Sequence, residues 1–211
     1  MNSDERPAEG GVFEDGSRSE RRRSGQVDRG GRPHVRDLSG RPASLHRAVA
    51  EAEVAVGHET LSAIVDGTTP RGDVLGVAEL AGVMAAKRTS ELIPLSHSTA
   101  LTELLVRATP ERSGGLVRIR AETGAIGQAG VEMEALTAAA VAALTVYDMV
   151  RDIDRGASVS GVRLVSATEG QAGTWQRPEA PSARQRPPAG ARGAGRIGQP
   201  GRPARPQSPR R

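Results

Sequence analysis

The sequence predicts an α+β domain, an antiparallel sheet backed by helices, on three observations. The run GVEMEALTAAAVAALTVYDMVRDID at 130–154 holds no Pro and no Gly after its first residue, and it is long enough for a core helix. LVRIRAE, from Leu116, alternates apolar and charged residues with period two, the pattern of a half-buried strand. Helical patterns precede this strand region and a single strand follows the long helix, an order that is not the βαβ alternation of a parallel sheet.

Taken in order, HVRDLSGRPASLHRAVAEAEVAV opens the folded part. Ser44 reads as the N-cap of a short helix, and Val54 and Val56 as a strand or connection ended by Gly57. A short helix begins at His58, Glu59 and Thr60 and stops at Gly67. After the turn TTPRG, Asp73 caps a helix over 73–88, with Val74, Val77, Leu80, Ala81, Met84 and Ala85 at helical spacing. Pro94 stops helical geometry. Strands over 99–108 and 116–123, joined by PERSGG, form a hairpin, and GAIGQAG then feeds the long helix. In that helix Leu136, Ala140, Ala143, Leu144 and Tyr147 share an apolar stripe, while Ala138, Ala139 and Ala142 admit a close neighbour. A last strand, SGVRLVSA, closes the fold.

Composition excludes several classes. The only aromatics are Phe13, Tyr147 and Trp175, so the core is aliphatic and single-stranded nucleic acid finds no row of stacking rings. With no cysteine there is no disulfide, thiolate zinc site or cysteine nucleophile. The polar start MNSDERPAEGG lacks the apolar stretch of a signal peptide, which leads to the expectation of a soluble, cytoplasmic protein without membrane contact. The formal charge of +4 belongs to a tail: 177–211 carries nine Arg against one Glu, 1–33 balances seven Arg with seven acids, and 34–176 is left at −4. Three regions follow: a disordered tail over 1–33, a domain over 34–176, and a disordered Arg-, Pro- and Gly-rich tail over 177–211. A nucleic-acid module built on that tail is the reading least favoured.

Three segments carry chemistry. In AAKRTSELIPLSHS, Lys87 and Arg88 end a helix and His97 lies in a loop after Pro94. In IGQAGVEME, glycines lead into a helix N-terminus, a geometry suited to anions, yet Glu132 and Glu134 occupy it. That composition suits acid–base work or hydrogen bonding to an amino-substituted heterocycle. In YDMVRD, Asp148 and Arg151 are spaced to pair on one helix face. Glu134 and Asp148, fourteen residues apart, lie about 21 Å apart along the helix axis. Either they serve different sites, or a symmetric partner brings a second copy of the helix alongside.

GVEMEALTAAAVAALTVYDM, with RGDVLGVAELAGVMAAKRTSELIPLSHS upstream, resembles the molybdenum-cofactor biosynthesis protein C family, the cyclic pyranopterin monophosphate synthases, over roughly 35–173. The resemblance implies a ferredoxin-like fold, a homohexamer built as a trimer of dimers, and an active site at a subunit interface. The implied reaction converts 3′,8-cyclo-7,8-dihydro-GTP, a small-molecule substrate, to cyclic pyranopterin monophosphate with release of pyrophosphate. It needs no cofactor and no metal.

Carried over by residue, the catalytic set is Asp148, His97, Arg71 and Arg151, and the substrate-binding set is Glu132, Met133, Glu134, Ser96, His97, Lys87 and Arg88. Asp37 matches a further family acid. Departures cluster on basic positions. The family's two catalytic lysines are Arg71 and Arg151 here, and its other lysines are Gln128, Ala167 and Gln171. An arginine in what reads as the first helix is His46, and Ser96 and Ser98 replace the Cys and Pro that flank the loop histidine. Arginine binds phosphate bidentately but cannot give up a proton near neutrality. A GC-rich coding background accounts for Lys to Arg, not for Gln128, Ala167 or Gln171. The alternative is therefore a catalytically weakened or inactive paralogue acting as a binding or assembly subunit.

Overall fold

A computed structural model describes Val27 and residues 30–178 of the chain. Most of the two tails expected to be disordered therefore falls outside the described residues. Five strands form one antiparallel sheet: β1 (Ser44–Ala55), β2 (Glu103–Glu111), β3 (Leu116–Gly127), β4 (Ser158–Glu169) and β5 (Thr174–Gln176). Their order is β2-β3-β1-β4-β5. Helices α1 (His58–Val65), α2 (Val74–Ala86), α3 (Thr89–Leu92) and α4 (Glu132–Val150) complete the fold. The first four strands, with helical crossovers between β1 and β2 and between β3 and β4, give the ferredoxin-like arrangement.

The first element departs from expectation. Residues 44–55 form the central strand, not a helix capped by Ser44. His46, Ala48, Ala50, Ala52 and Val54 are buried toward the helices, while the residues between them face away. The period of two was present, but Ala and Glu favour helix in isolation. Pairing on both edges, from Ser44 opposite Gly127 to Ala55 opposite Leu116 and with β4 on the other side, overrides that propensity.

The hairpin forms, with β2 shifted toward the turn and β3 starting at Leu116 as expected but running on to Gly127. β2 runs through Pro110, opposite Val117, which is tolerated because β2 is an edge strand and needs no donor on its outer side. Gly115, at φ 61°, makes the turn. Asp73 caps α2 as expected, its carboxylate accepting from the Gly76 N–H at 2.9 Å.

On the open sheet face Arg118, Arg120 and Arg163 interleave with Glu51, Glu53, Glu111 and Glu122. One Glu53 oxygen accepts from both Arg118 and Arg163 at 2.8 Å. Arg163 holds the Glu53 carboxyl below the usual carboxylate range. On the other face lies α4. Its buried side is Ala135, Ala138, Ala139, Ala142, Ala143, Val146 and Val150, so the small residues are what let the helix settle onto the sheet and α2. A Cβ on Gly82 would sit 3.0 Å from the Ala138 carbonyl oxygen and 3.2 Å from the Ala142 Cβ, which fixes how closely α2 crosses α4. Of the expected stripe Ala143 is in the core and Leu136 and Tyr147 pack half-buried against it, while Ala140 is half-buried and Leu144 is 57 % exposed. By length and apolarity α4 could cross a membrane, but half of it is buried inside the domain, the position of a core helix.

The loop after α4 anchors α1. Gly57 gives α1 no side-chain cap. Asp154 supplies one from a distance, accepting from Gly57 N–H at 2.7 Å and Gly156 N–H at 3.0 Å. The Gly57 bond is the main reason its carboxyl titrates below the usual aspartate range. Replacing Asp154 by Ala should cost about 1 kcal/mol at neutral pH, as for other lost caps. Because the folded value is depressed, this contribution is present above the unfolded value and disappears as pH falls through the folded one. Denaturant unfolding of both proteins should therefore show a gap that closes in acid.

Candidate active site

Lys87 and Arg88 apart, the residues expected to act together lie at the two ends of α4. At its N-terminus a pocket of about 200 Å³ opens between the loop carrying Ser96 and His97, the segment carrying Arg36 and Arg41, and Gly130–Met133. A second, of about 170 Å³, shares Leu38, His97 and Ala129 with it and extends toward Gln128. The Glu132 carboxylate folds back over Gly130, where a Cβ would lie 2.2 Å from one of its oxygens, so any side chain at 130 would expel it. His97 is half-buried, and its Nε2 lies 2.7 Å from the Arg36 carbonyl oxygen. A carbonyl only accepts, so Nε2 carries the hydrogen and the neutral ring presents Nδ1 as its acceptor.

Glu134 is 3 % exposed, and one of its carboxylate oxygens is buried without a hydrogen-bond partner. Burial raises its pKa, its own backbone N–H and the Thr99 hydroxyl pull it partly back, and the charge of Glu132 adds to the rise. A carboxyl biased toward its protonated form offers both a donor and an acceptor at one point. The backbone beneath is fixed by the buried Thr123, whose hydroxyl donates to the Val131 carbonyl at 3.0 Å.

The changed basic positions take up new partners. Gln128 donates from Nε2 to the Arg41 carbonyl at 2.9 Å, and the Arg41 guanidinium pairs with Glu169. Arg41 thereby holds the Glu169 carboxyl below its usual range. His46, on β1 rather than on a helix, is 1 % exposed; its Nε2 lies 3.1 Å from Ser44 Oγ and 3.2 Å from the Gly127 carbonyl oxygen. Arg36 and Arg41 place positive charge at this pocket, a contribution that the spacing of known motif residues did not reveal. Ala167 lies on β4 between Ala48 and Trp175. Asp37 accepts from the Ser39 N–H and hydroxyl, which lowers its pKa.

At the other end of α4, Asp148 stands between two guanidiniums. Arg71 Nη1 lies 3.3 Å from Asp148 Oδ2, and Arg151 Nε 3.3 Å from Asp148 Oδ1. Asp152, a residue the sequence did not single out, also takes Arg71. Lys87 and Arg88 join neither group: Lys87 ends α2, and Arg88 borders an apolar cavity of about 300 Å³ lined by Ala81, Met84, Ala85, Leu92 and Val141. Among the described residues no cluster of three or more His, Asp or Glu suits a metal ion.

The MoaC family model matches residues 35–170. Similar proteins named cyclic pyranopterin monophosphate synthase include those of Chloroflexus aggregans, 44 % identical over 153 residues, 72 % of this chain and 93 % of its relative. Those of Geobacter metallireducens and Thermomicrobium roseum are 47 % and 43 % identical, with 71 % and 72 % of this chain and 93 % and 91 % of their own lengths covered. A ferredoxin-like sheet, charged clusters at both ends of α4 and identity of this extent across nearly whole relatives lead to one assignment: the chain belongs to the MoaC family.

Proposed function

We propose that the protein is a cyclic pyranopterin monophosphate synthase, a lyase of molybdenum-cofactor biosynthesis that converts the 3′,8-cyclised dihydro-GTP to the cyclic monophosphate and pyrophosphate. We further propose that each active site is shared by two copies, within a cytoplasmic homohexamer built as a trimer of dimers. The observation that carries this reading is the placement of the acids and histidine at opposite ends of one helix, about 21 Å apart, with an uncovered apolar face between them. Val141 is seven residues from both Glu134 and Asp148. A two-fold axis near it would lay α4 antiparallel on the partner's α4 at the usual 8–10 Å and set Glu134 of one copy beside Asp148 of the other. Leu144, Leu80 and Met84, respectively 57, 60 and 48 % exposed, lie along that seam and would be covered. Lys87 and Arg88, at the end of α2, join the substrate-binding set only in this assembly.

In this arrangement Ser96, Met133 and the carboxyl of Glu134 receive the heterocycle, with Glu132 accepting from its amino groups. Arg71 and Arg151 hold the triphosphate. Forming a cyclic phosphate with loss of pyrophosphate requires a hydroxyl to lose its proton as it attacks phosphorus. Arginine cannot take that proton, so the task falls to Asp148 or to Nδ1 of His97. Purified protein incubated with the cyclised substrate should release pyrophosphate and the cyclic product in equal amounts. Absence of both above an enzyme-free control would overturn the assignment and leave the inactive-paralogue reading.

A further inference from the structure

The cluster at the C-terminal end of α4 holds a group that motif matching leaves unassigned. Arg71 lies on the turn before α2, with its own side chain about one-third exposed. Its Nε donates to Asp152 Oδ2 at 2.8 Å, and its Nη2 is 2.7 Å from the same oxygen. The contact to Asp148 is longer, 3.3 Å from Nη1. Asp152 therefore takes the inner edge of the guanidinium, while Asp148 meets only one terminal nitrogen.

We propose that Asp152 is a positioning residue for Arg71. Two carboxylates compete for this guanidinium, and the outcome decides what Asp148 is free to do. Without Asp152 the planar fork of Arg71 would close onto Asp148, which already faces Arg151 at 3.3 Å. An Asp148 held from both sides by bidentate arginines is a poor proton acceptor. With Asp152 in place, Arg71 is turned so that its outer nitrogens can meet an anion and Asp148 keeps accessible lone pairs. A lysine at 71 would not need such a partner, because an ammonium is a point charge without a preferred edge. Asp152 is thus the local counterpart of having Arg rather than Lys at position 71.

The inference rests on the proposed activity for its kinetic arm and stands apart from it in a second arm. The three pairs concerned are solvent-exposed, so Asp152→Ala should leave thermal unfolding unchanged. It should lower kcat about tenfold, because Arg71 then closes onto the proton acceptor Asp148, and raise KM as the fork turns away from the phosphate. In an Arg71→Lys background the same change should have no further effect. An equal loss in both backgrounds, or no loss in either, would overturn the proposal. If wild-type protein does not turn over, the activity assignment fails and the second arm decides: the Arg71 Nε–H should be protected from solvent exchange by NMR in the wild type and lose that protection in Asp152→Ala. Protection that persists in the variant would overturn it.

Discussion

Replacing Asp148 by Asn is expected to lower kcat/KM by about 100- to 10,000-fold, the range for losing a proton-transfer group. The size follows from what surrounds it. Both positions that could have supplied a tunable amine, 71 and 151, carry guanidiniums that stay protonated throughout the working range. Asn keeps the shape and can still accept hydrogen bonds from Arg71 and Arg151, but it cannot take a proton. Stability should barely change, because the Asp148 side chain is 55 % exposed and such pairs contribute at most about 1 kcal/mol. Steady-state turnover of the cyclised substrate beside thermal unfolding of the same preparation separates the two effects. A loss smaller than about threefold would remove Asp148 from the chemistry and leave His97 as the proton-transfer group.

The parts of this molecule that were legible in its sequence are those whose signal is local. The Asp73 cap, the α2 pattern and the long Gly- and Pro-free run each declare themselves within one or two turns. So does the charged alternation of β3, where Arg118, Arg120 and Glu122 meet ion partners on the open face. β1 was misread because its residues are helix formers, and only the strands on either side make 44–55 extended. The stripe on α4 is apolar as its spacing indicates, with Ala143 buried, Leu136 and Tyr147 packed against the core and Leu144 exposed. Periodicity gives the angular position of Leu136, Leu144 and Tyr147 on the helix. It does not say which members stay at the surface, whereas the small Ala138, Ala139 and Ala142 do admit the close neighbours expected of them, the sheet and α2.

At the site, the residues matched by motif appear at the two ends of α4. The partners that tune them, Thr99 for Glu134 and Asp152 for Arg71, come from other elements or from beyond the motif and have no signature. Thr123 is likewise invisible in sequence, since its role depends on β3 passing under the start of α4.

Sharing of each site between copies has a consequence that no single-chain site can imitate. Glu134→Leu fills the same buried space without a donor or acceptor, so this variant should fold while losing the group that receives the heterocycle. Alone it should be as impaired as Asp148→Asn, since either change damages every site. When the two variants are combined, a mixed dimer carries both lesions in one site and neither in the other. Random association of equal amounts should therefore restore about one quarter of wild-type activity, because half the dimers are mixed and half of their sites are intact. Co-expression of the two variants under separate tags, followed by tandem purification and turnover of the cyclised substrate, measures this directly. Recovery near the level set by the purified mixed fraction is the expected result. A mixed preparation no more active than the mean of its two parents would contradict a site formed by Glu134 of one copy and Asp148 of another.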